Sequence, residues 1–190
     1  MRLYAHGELR RVVVDDHIPV LQPGDRPLFA RSRRDGEMWV AVFEKAFAKL
    51  HSSYQAIEAG SPGQALECLT GAPSERLQFR TSEASEDKVW QRLLKAEGAG
   101  HVMALELGDH PQDLQKMVGL VEQHAYSVLS VADADGRGRL VQIRNPWGRF
   151  EWRGDWGDES SKWTEKLKAK LGWTKEDDGI FWMDVASGAL

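Results

Sequence analysis

His124-Ala125-Tyr126-Ser127-Val128-Leu129-Ser130-Val131, followed by Asp133-Ala134-Asp135-Gly136-Arg137-Gly138 and then Leu140-Val141-Gln142-Ile143-Arg144-Asn145-Pro146-Trp147-Gly148, is the stretch whose reading decides the fold. Two runs rich in β-forming residues flank an Asp/Gly turn, which is the pattern of a β-hairpin. His124 falls at the outer end of the first strand and Asn145 at the outer end of the second. In an antiparallel pair those ends lie side by side, so two residues distant in sequence can meet. Pro146 has no N–H to give to a ladder, so the second strand should stop before it. Trp147 then sets a large apolar plate beside the pair.

A His oriented by an Asn is half of a Cys-His-Asn constellation. The carboxamide would accept from one ring nitrogen and fix the tautomer, leaving the other nitrogen to exchange a proton with a thiol. A neighbouring indole would keep water from that hydrogen bond and strengthen it. A bare His and Asn would more often be a structural hairpin with a His at its edge; the ordered strings carry more. His124-Ala125-Tyr126-Ser127-Val128 and Arg144-Asn145-Pro146-Trp147-Gly148 resemble the signatures around the catalytic His and Asn of the calpain family of papain-like cysteine endopeptidases. Gln123 stands where that family usually has Gly. The resemblance implies peptide-bond hydrolysis through a thioester. His124 would take the thiol proton and later give it to the leaving amine, Asn145 would orient it, and Trp147 would shield the bond and line the cleft.

Composition agrees with a soluble globular protein of one domain or two small ones: 190 residues, 42% hydrophobic and 28% charged. Eight tryptophans promise an aromatic core or cleft. A net charge of −4 gives no electrostatic case for nucleic acid or an anionic membrane. No apolar run approaches the roughly 20 residues that span a bilayer. The N-terminal residues Arg2–Glu8 are patterned as structure and not as a signal peptide. The single cysteine excludes an internal disulfide and fits a reducing compartment, the cytoplasm.

Working outward, residues 3–32 read as β structure. Leu3-Tyr4-Ala5 and Arg11–Asp15 flank a His6-Gly7-Glu8 turn, Val12-Val13-Val14 suggest a strand buried on both faces, and Leu28-Phe29-Ala30 a further strand. Asp15-Asp16-His17 reads as a solvated strand end and not a metal site. Residues 37–51 carry Trp39, Val42, Phe43, Ala46, Phe47 and Leu50 at helical spacing. Short helices are expected at Tyr54–Ala59 and Gln64–Leu69, and Thr70-Gly71-Ala72-Pro73 breaks the chain. Beyond it the pattern predicts a strand at Arg76–Phe79, a helix at Glu86–Ala96 capped by Ser85, and a strand at Val102–Leu107. A turn or two of helix is expected around Leu114, Met117 and Val118, a helix near Ser161–Leu171, and a last strand at Ile180–Val185.

These flanks extend the resemblance. Val12–Pro19, Met38–Leu50 and Leu69-Thr70-Gly71-Ala72 are similar to calpain segments, the last at the junction of the family's two core subdomains. The implied fold is α+β: residues 1–70 the C-terminal part of the helical first subdomain, and residues 71–190 the papain-like second subdomain, an antiparallel sheet with flanking helices. The family's Gly-Asp-Cys-Trp nucleophile motif is missing. The single cysteine, Cys68, sits on an apolar-periodic helix and reads as a small buried hydrophobe. The resemblance therefore implies a calpain-like cysteine endopeptidase fragment that acts on protein or peptide substrates. Its partner would be an N-terminal half of the core bearing the Cys, and the chain alone would be inactive. The alternative is a non-catalytic, calpain-like interaction or scaffold protein. The resemblance to calpains also implies Ca²⁺, with Glu151, Asp158 and Asp178 giving carboxylates and Glu176 its carbonyl. Ile180 occupies a further ligand position and cannot ligate through its side chain, which weakens the site. An EF-hand at Asp133–Arg144 is rejected, because its twelfth position is Arg144 and its flanks are strands.

Overall fold

A computed structural model of the chain describes residues 1–32, 34, 36–77, 85–109 and 113–186. The chain divides into two compact units, Met1–Glu75 and Arg76–Leu190. Both are built from helices and antiparallel sheet.

In the first unit β1 (Arg2–Ala5) pairs antiparallel with β2 (Glu8–Arg11), and the left-handed pair His6-Gly7 turns between them. Two helices follow, α1 (Trp39–Leu50) and α2 (Pro62–Thr70), with one 3-10 turn over Gln55–Ile57. Pro62 opens α2, where its missing N–H costs nothing, and the left-handed Gly71 closes it. Leu3, Val12, Ala46 and Cys68 form a small core with Val14, Phe43, Phe47 and Leu50 against it. The valine run departs from expectation. The β1–β2 ladder ends at Arg2 opposite Arg11, so no strand is left for Val13 to pair with. Its carbonyl instead accepts from Lys49 Nζ at 2.7 Å, and its side chain is 61% exposed. Leu28–Ala30 is not a strand either. Leu28 N donates to Pro19 O at 2.9 Å and Ala30 N to the Glu44 carboxylate at 3.0 Å, so these backbone groups are satisfied locally. The expected helix at Tyr54–Ala59 contracts to the 3-10 turn.

The second unit is a four-stranded antiparallel sheet in the order β3 (Met103–Leu107), β4 (His124–Asp133), β5 (Arg139–Arg144), β6 (Ile180–Asp184). The β4–β5 connection is tight because Asp135 and Gly136 both adopt positive φ, 55° and 76°, and Arg137 N donates to Ala134 O at 3.1 Å. Both faces of the sheet are covered. On one, Tyr126, Val131, Val141, Ile143, Phe181 and Met183 pack with Val89 and Trp90 of α3 (Glu86–Gly98) and Leu114 of α4 (Leu114–Val118). On the other, Leu140 and Trp182 pack with Trp156, Trp163 and Leu167 of α5 (Glu165–Leu171). A bulge between Val128 and Ser130 makes this sorting possible. Leu129 is the extra residue, and it shifts the inward positions of β4 from even numbers to odd. Ser85 caps α3 by accepting from Lys88 N at 3.3 Å. Of the strand expected at Arg76–Phe79, Arg76 and Leu77 are not in a ladder, and Gln78 and Phe79 lie outside the described residues.

Candidate active site

His124 is the first residue of β4, and Asn145 follows the last residue of β5. The register sets Ser127 opposite Arg144, so the continuing chains bring the two side chains together. His124 Nε2 lies 2.9 Å from Asn145 Oδ1. The carboxamide's orientation follows from its other neighbours. Nδ2 donates to Arg149 O at 2.7 Å and to Phe150 O at 3.2 Å, while Oδ1 accepts from Trp147 N at 3.0 Å. Oδ1 is thus an acceptor only, so Nε2 must carry the proton toward it and Nδ1 is left as the basic nitrogen. Asn145 is fully buried, and its main chain is held as firmly as its side chain: its N–H donates to Gly179 O at 2.8 Å and its carbonyl accepts from Gly148 N at 2.9 Å.

Two rings bracket the imidazole. Trp147 lies 4.4 Å away, centroid to centroid, with the planes at 47°, and is itself 55% exposed, so it covers one side and opens to solvent on the other. Tyr126 meets the imidazole edge-on at 4.9 Å and 84°. Burial pushes the Tyr126 hydroxyl above the usual phenol range, and it accepts from Val121 N at 2.7 Å. The proximity of Tyr126 to His124 was readable, since residues two apart on a strand share a face. The carbonyls of Arg149, Phe150 and Gly179 that fix Asn145 are backbone groups and leave no mark in residue type, although the left-handed φ of 63° at Phe150 belongs to that turn.

The acidic residues are disposed differently. Glu151 Oε1 accepts from Asp178 N at 2.9 Å and Gly179 N at 2.6 Å, and Asp178 Oδ1 accepts from Ile180 N at 2.8 Å. The Glu176 carbonyl accepts from Asp178 N at 2.8 Å. Burial, and then the adjacent Glu151 carboxylate, push Asp158 up to about 7, and the two carboxyl groups share a hydrogen bond. Burial also raises Glu151. Among the described residues no three His, Cys, Asp or Glu side chains converge to hold a metal ion. The donors are hard oxygens suited to Ca²⁺, but as placed they do not fit a cage of roughly six to eight ligands. Cys68, in the first unit, is buried on α2, and burial pushes its thiol up, away from a ready thiolate.

The model of the calpain family cysteine proteases matches residues 1–188 of this chain. The calpain-type cysteine protease ADL1 of Oryza sativa subsp. japonica is 42% identical over 189 residues, covering 96% of this chain and 9% of that protein. Calpain-9 of Rattus norvegicus is 37% identical over 191 residues, covering 96% of this chain and 27% of that protein. Calpain-5 of Mus musculus is 34% identical over 199 residues, covering 93% of this chain and 31% of that protein. The chain thus spans less than a third of the length of these relatives. No described helix is long and apolar enough to cross a membrane. With the family's model running across both units and relatives at this identity matching nearly the whole chain, the chain belongs to the calpain family of cysteine proteases.

Proposed function

We propose that this chain supplies the proton-transfer half of a calpain-like cysteine endopeptidase. His124 is its general base and acid, Asn145 its orienting group and Trp147 the partial cover of their bond. The observation that carries the reading is the 2.9 Å contact between His124 Nε2 and a fully buried Asn145 Oδ1, whose other partners fix the tautomer. Nδ1 is then free to take a proton from a thiol and return it to the leaving amine, the two transfers that thioester formation from a peptide requires. The thiolate comes from polypeptide outside this sequence, because Cys68 is buried with a raised thiol pKa. Residues 1–70 are read as the end of the first core subdomain and residues 71–190 as the second. Protein or peptide substrates and a cytoplasmic setting belong to the same proposal. Calcium belongs to the same proposal: Glu151 would have to give up the hydrogen bonds it accepts from the Asp178 and Gly179 amides, and the Ile180 side chain adds no ligand. Titration calorimetry of the chain with Ca²⁺ tests that part, and absence of heat removes it.

The main test is peptidase activity of this chain joined to, or mixed with, a calpain-like segment bearing the Cys helix. His124→Ala should abolish turnover and Asn145→Ala should reduce kcat by up to about 10⁴-fold, the scale for losing the group that orients a catalytic His. Activity that survives both substitutions overturns the proposal. The missing nucleophile motif, Ile180 and Ala72 favour a second reading, a non-catalytic interaction protein. That reading gains if the joined protein binds peptide substrate yet turns none over.

A further inference from the structure

Two non-glycine residues in left-handed backbone flank the His124–Asn145 pair, Gln123 at φ 47° and Phe150 at φ 63°. Phe150 is occupied in gripping the carboxamide. Gln123 is the residue from which β4 departs, so its backbone angles set the direction in which His124 leaves the turn. An L side chain with a long, unbranched stem gains nothing locally in the left-handed region and is strained there. Something outside the residue must hold it. The β3–β4 ladder ends at Leu107 opposite His124, and the next two residues of the β3 side take over. Gln123 N donates to Gly108 O at 3.4 Å, a long bond, and Gln123 Nε2 donates to the Asp109 carboxylate. The charged acceptor makes the second bond the stronger, although both residues are exposed.

We propose that the Gln123–Asp109 pair is a clasp that positions His124, holding the left-handed turn that aims the imidazole at Asn145; this rests on the His124–Asn145 reading above. Gln123 and Asp109 are positioning residues, and neither is in contact with the reacting atoms. An exposed clasp of this kind can be cut without disturbing the buried core of the sheet, which makes its two effects separable. Removing the carboxylate leaves the strain and loses the grip. Replacing Gln123 by glycine relieves the strain and also loses the grip. A merely structural role would make the two substitutions differ in sign at every readout. A positioning role makes them differ in stability but agree at the imidazole.

The experiment is proton and nitrogen NMR of the full chain, following the exchange of the His124 Nε2–H with water and the ring's tautomer, alongside thermal unfolding. Asp109→Ala should lower Tm and speed exchange of the Nε2–H about fivefold or more, the factor set by loss of one ordinary hydrogen bond. Gln123→Gly should leave Tm unchanged or higher, yet speed exchange by a similar factor. The double substitution should exchange no faster than Gln123→Gly alone. Asp109→Asn, which keeps an acceptor oxygen but loses the charge, should bring exchange back only part of the way to wild type. Asn145→Ala is the control. If it speeds exchange while either Asp109→Ala or Gln123→Gly does not, the clasp is overturned and the His–Asn pair stands. If Asn145→Ala also leaves exchange unchanged, the pair itself has failed and the clasp with it.

Discussion

At the scale of single residues, the site depends on how closely two backbones approach. Gly179 accepts Asn145's N–H through its carbonyl while its own α-carbon faces the Asn145 carbonyl and Gly148. A Cβ there would sit 2.8 Å from both the Asn145 oxygen and the Gly148 α-carbon, on a backbone at φ 83°. Gly179→Ala should therefore lower stability by about 2–4 kcal/mol, combining the left-handed penalty with overpacking, as measured by urea unfolding. The same variant should loosen the Asn145 amide, seen as faster hydrogen exchange at that position. Unchanged stability would mean that the β5 exit can move aside. Asp135, in the β4–β5 turn, gives a residue-scale prediction in pH. Hydrogen bonds from Lys170 and Lys166 hold its carboxyl down, from 3.8 to about 2. A depressed folded-state value stabilises the fold fully above the unfolded value and is lost as pH falls through the folded one. The Tm gap between the chain and Asp135→Asn should be constant above about pH 5 and close between pH 4 and pH 2. A gap that persists at the acid end would place the effect in the turn's backbone and not in the ion pairs.

Among the elements, β4 carries the most information for its length, and the bulge at Leu129 is the reason. Before it Tyr126 and Val128 face the α3 side; after it Val131 does. Deleting Leu129 would restore a straight ladder and force either His124–Val128 or Ser130–Asp133 onto the wrong face. The expected outcome is loss of the His124–Asn145 contact or of cooperative folding, followed by NMR of the imidazole and by near-ultraviolet circular dichroism. A deletion variant that keeps both would refute the role given to the bulge. Elements that follow one period were legible in the sequence. The β4–β5 hairpin, α3 with its Ser85 cap, α4 and the last strand stood out because turn chemistry, spacing and capping agreed there. The bulge was not legible, since an unbroken run from His124 to Asp133 hides where the alternation slips. The valine run misled for the opposite reason. Three β-branched residues favour a strand, but a strand needs a partner, and β1 ends before Val13 can find one. His124 and Asn145 were visible as residue types at strand ends, whereas their fixation by the carbonyls of Arg149, Phe150 and Gly179 depends on backbone that any side chain could supply.

For the whole molecule, both units bury a core and both leave large apolar side chains exposed, Val102 of the second at 70%, Met117 at 56% and Trp147 at 55%. In the second, both faces of the sheet are buried, with Trp156, Phe181, Leu140, Ile143, Leu167 and Met183 nearly inaccessible. In the first, Leu21 is 78% exposed, Trp39 64% and Val13 61%. Exposed apolar surface of this kind drives association. The chain should therefore self-associate with rising concentration in sedimentation velocity, and Trp39→Gln with Val13→Thr should shift it toward monomer while leaving the second unit's thermal transition in place. A chain that stays monomeric at high micromolar concentration would contradict this. On the proposed function, the Asn145 network carries a further consequence for the assembled enzyme. Both polar atoms of the Asn145 side chain are engaged, so swivelling it would cost several bonds together, while the ring across from it gives up a single one among the described residues. Any gating of the pair during turnover must then come from the imidazole swinging on its own χ angles against a stationary amide. In a series of structures taken through the reaction, alternate rotamers would gather at His124 and leave Asn145 sharp.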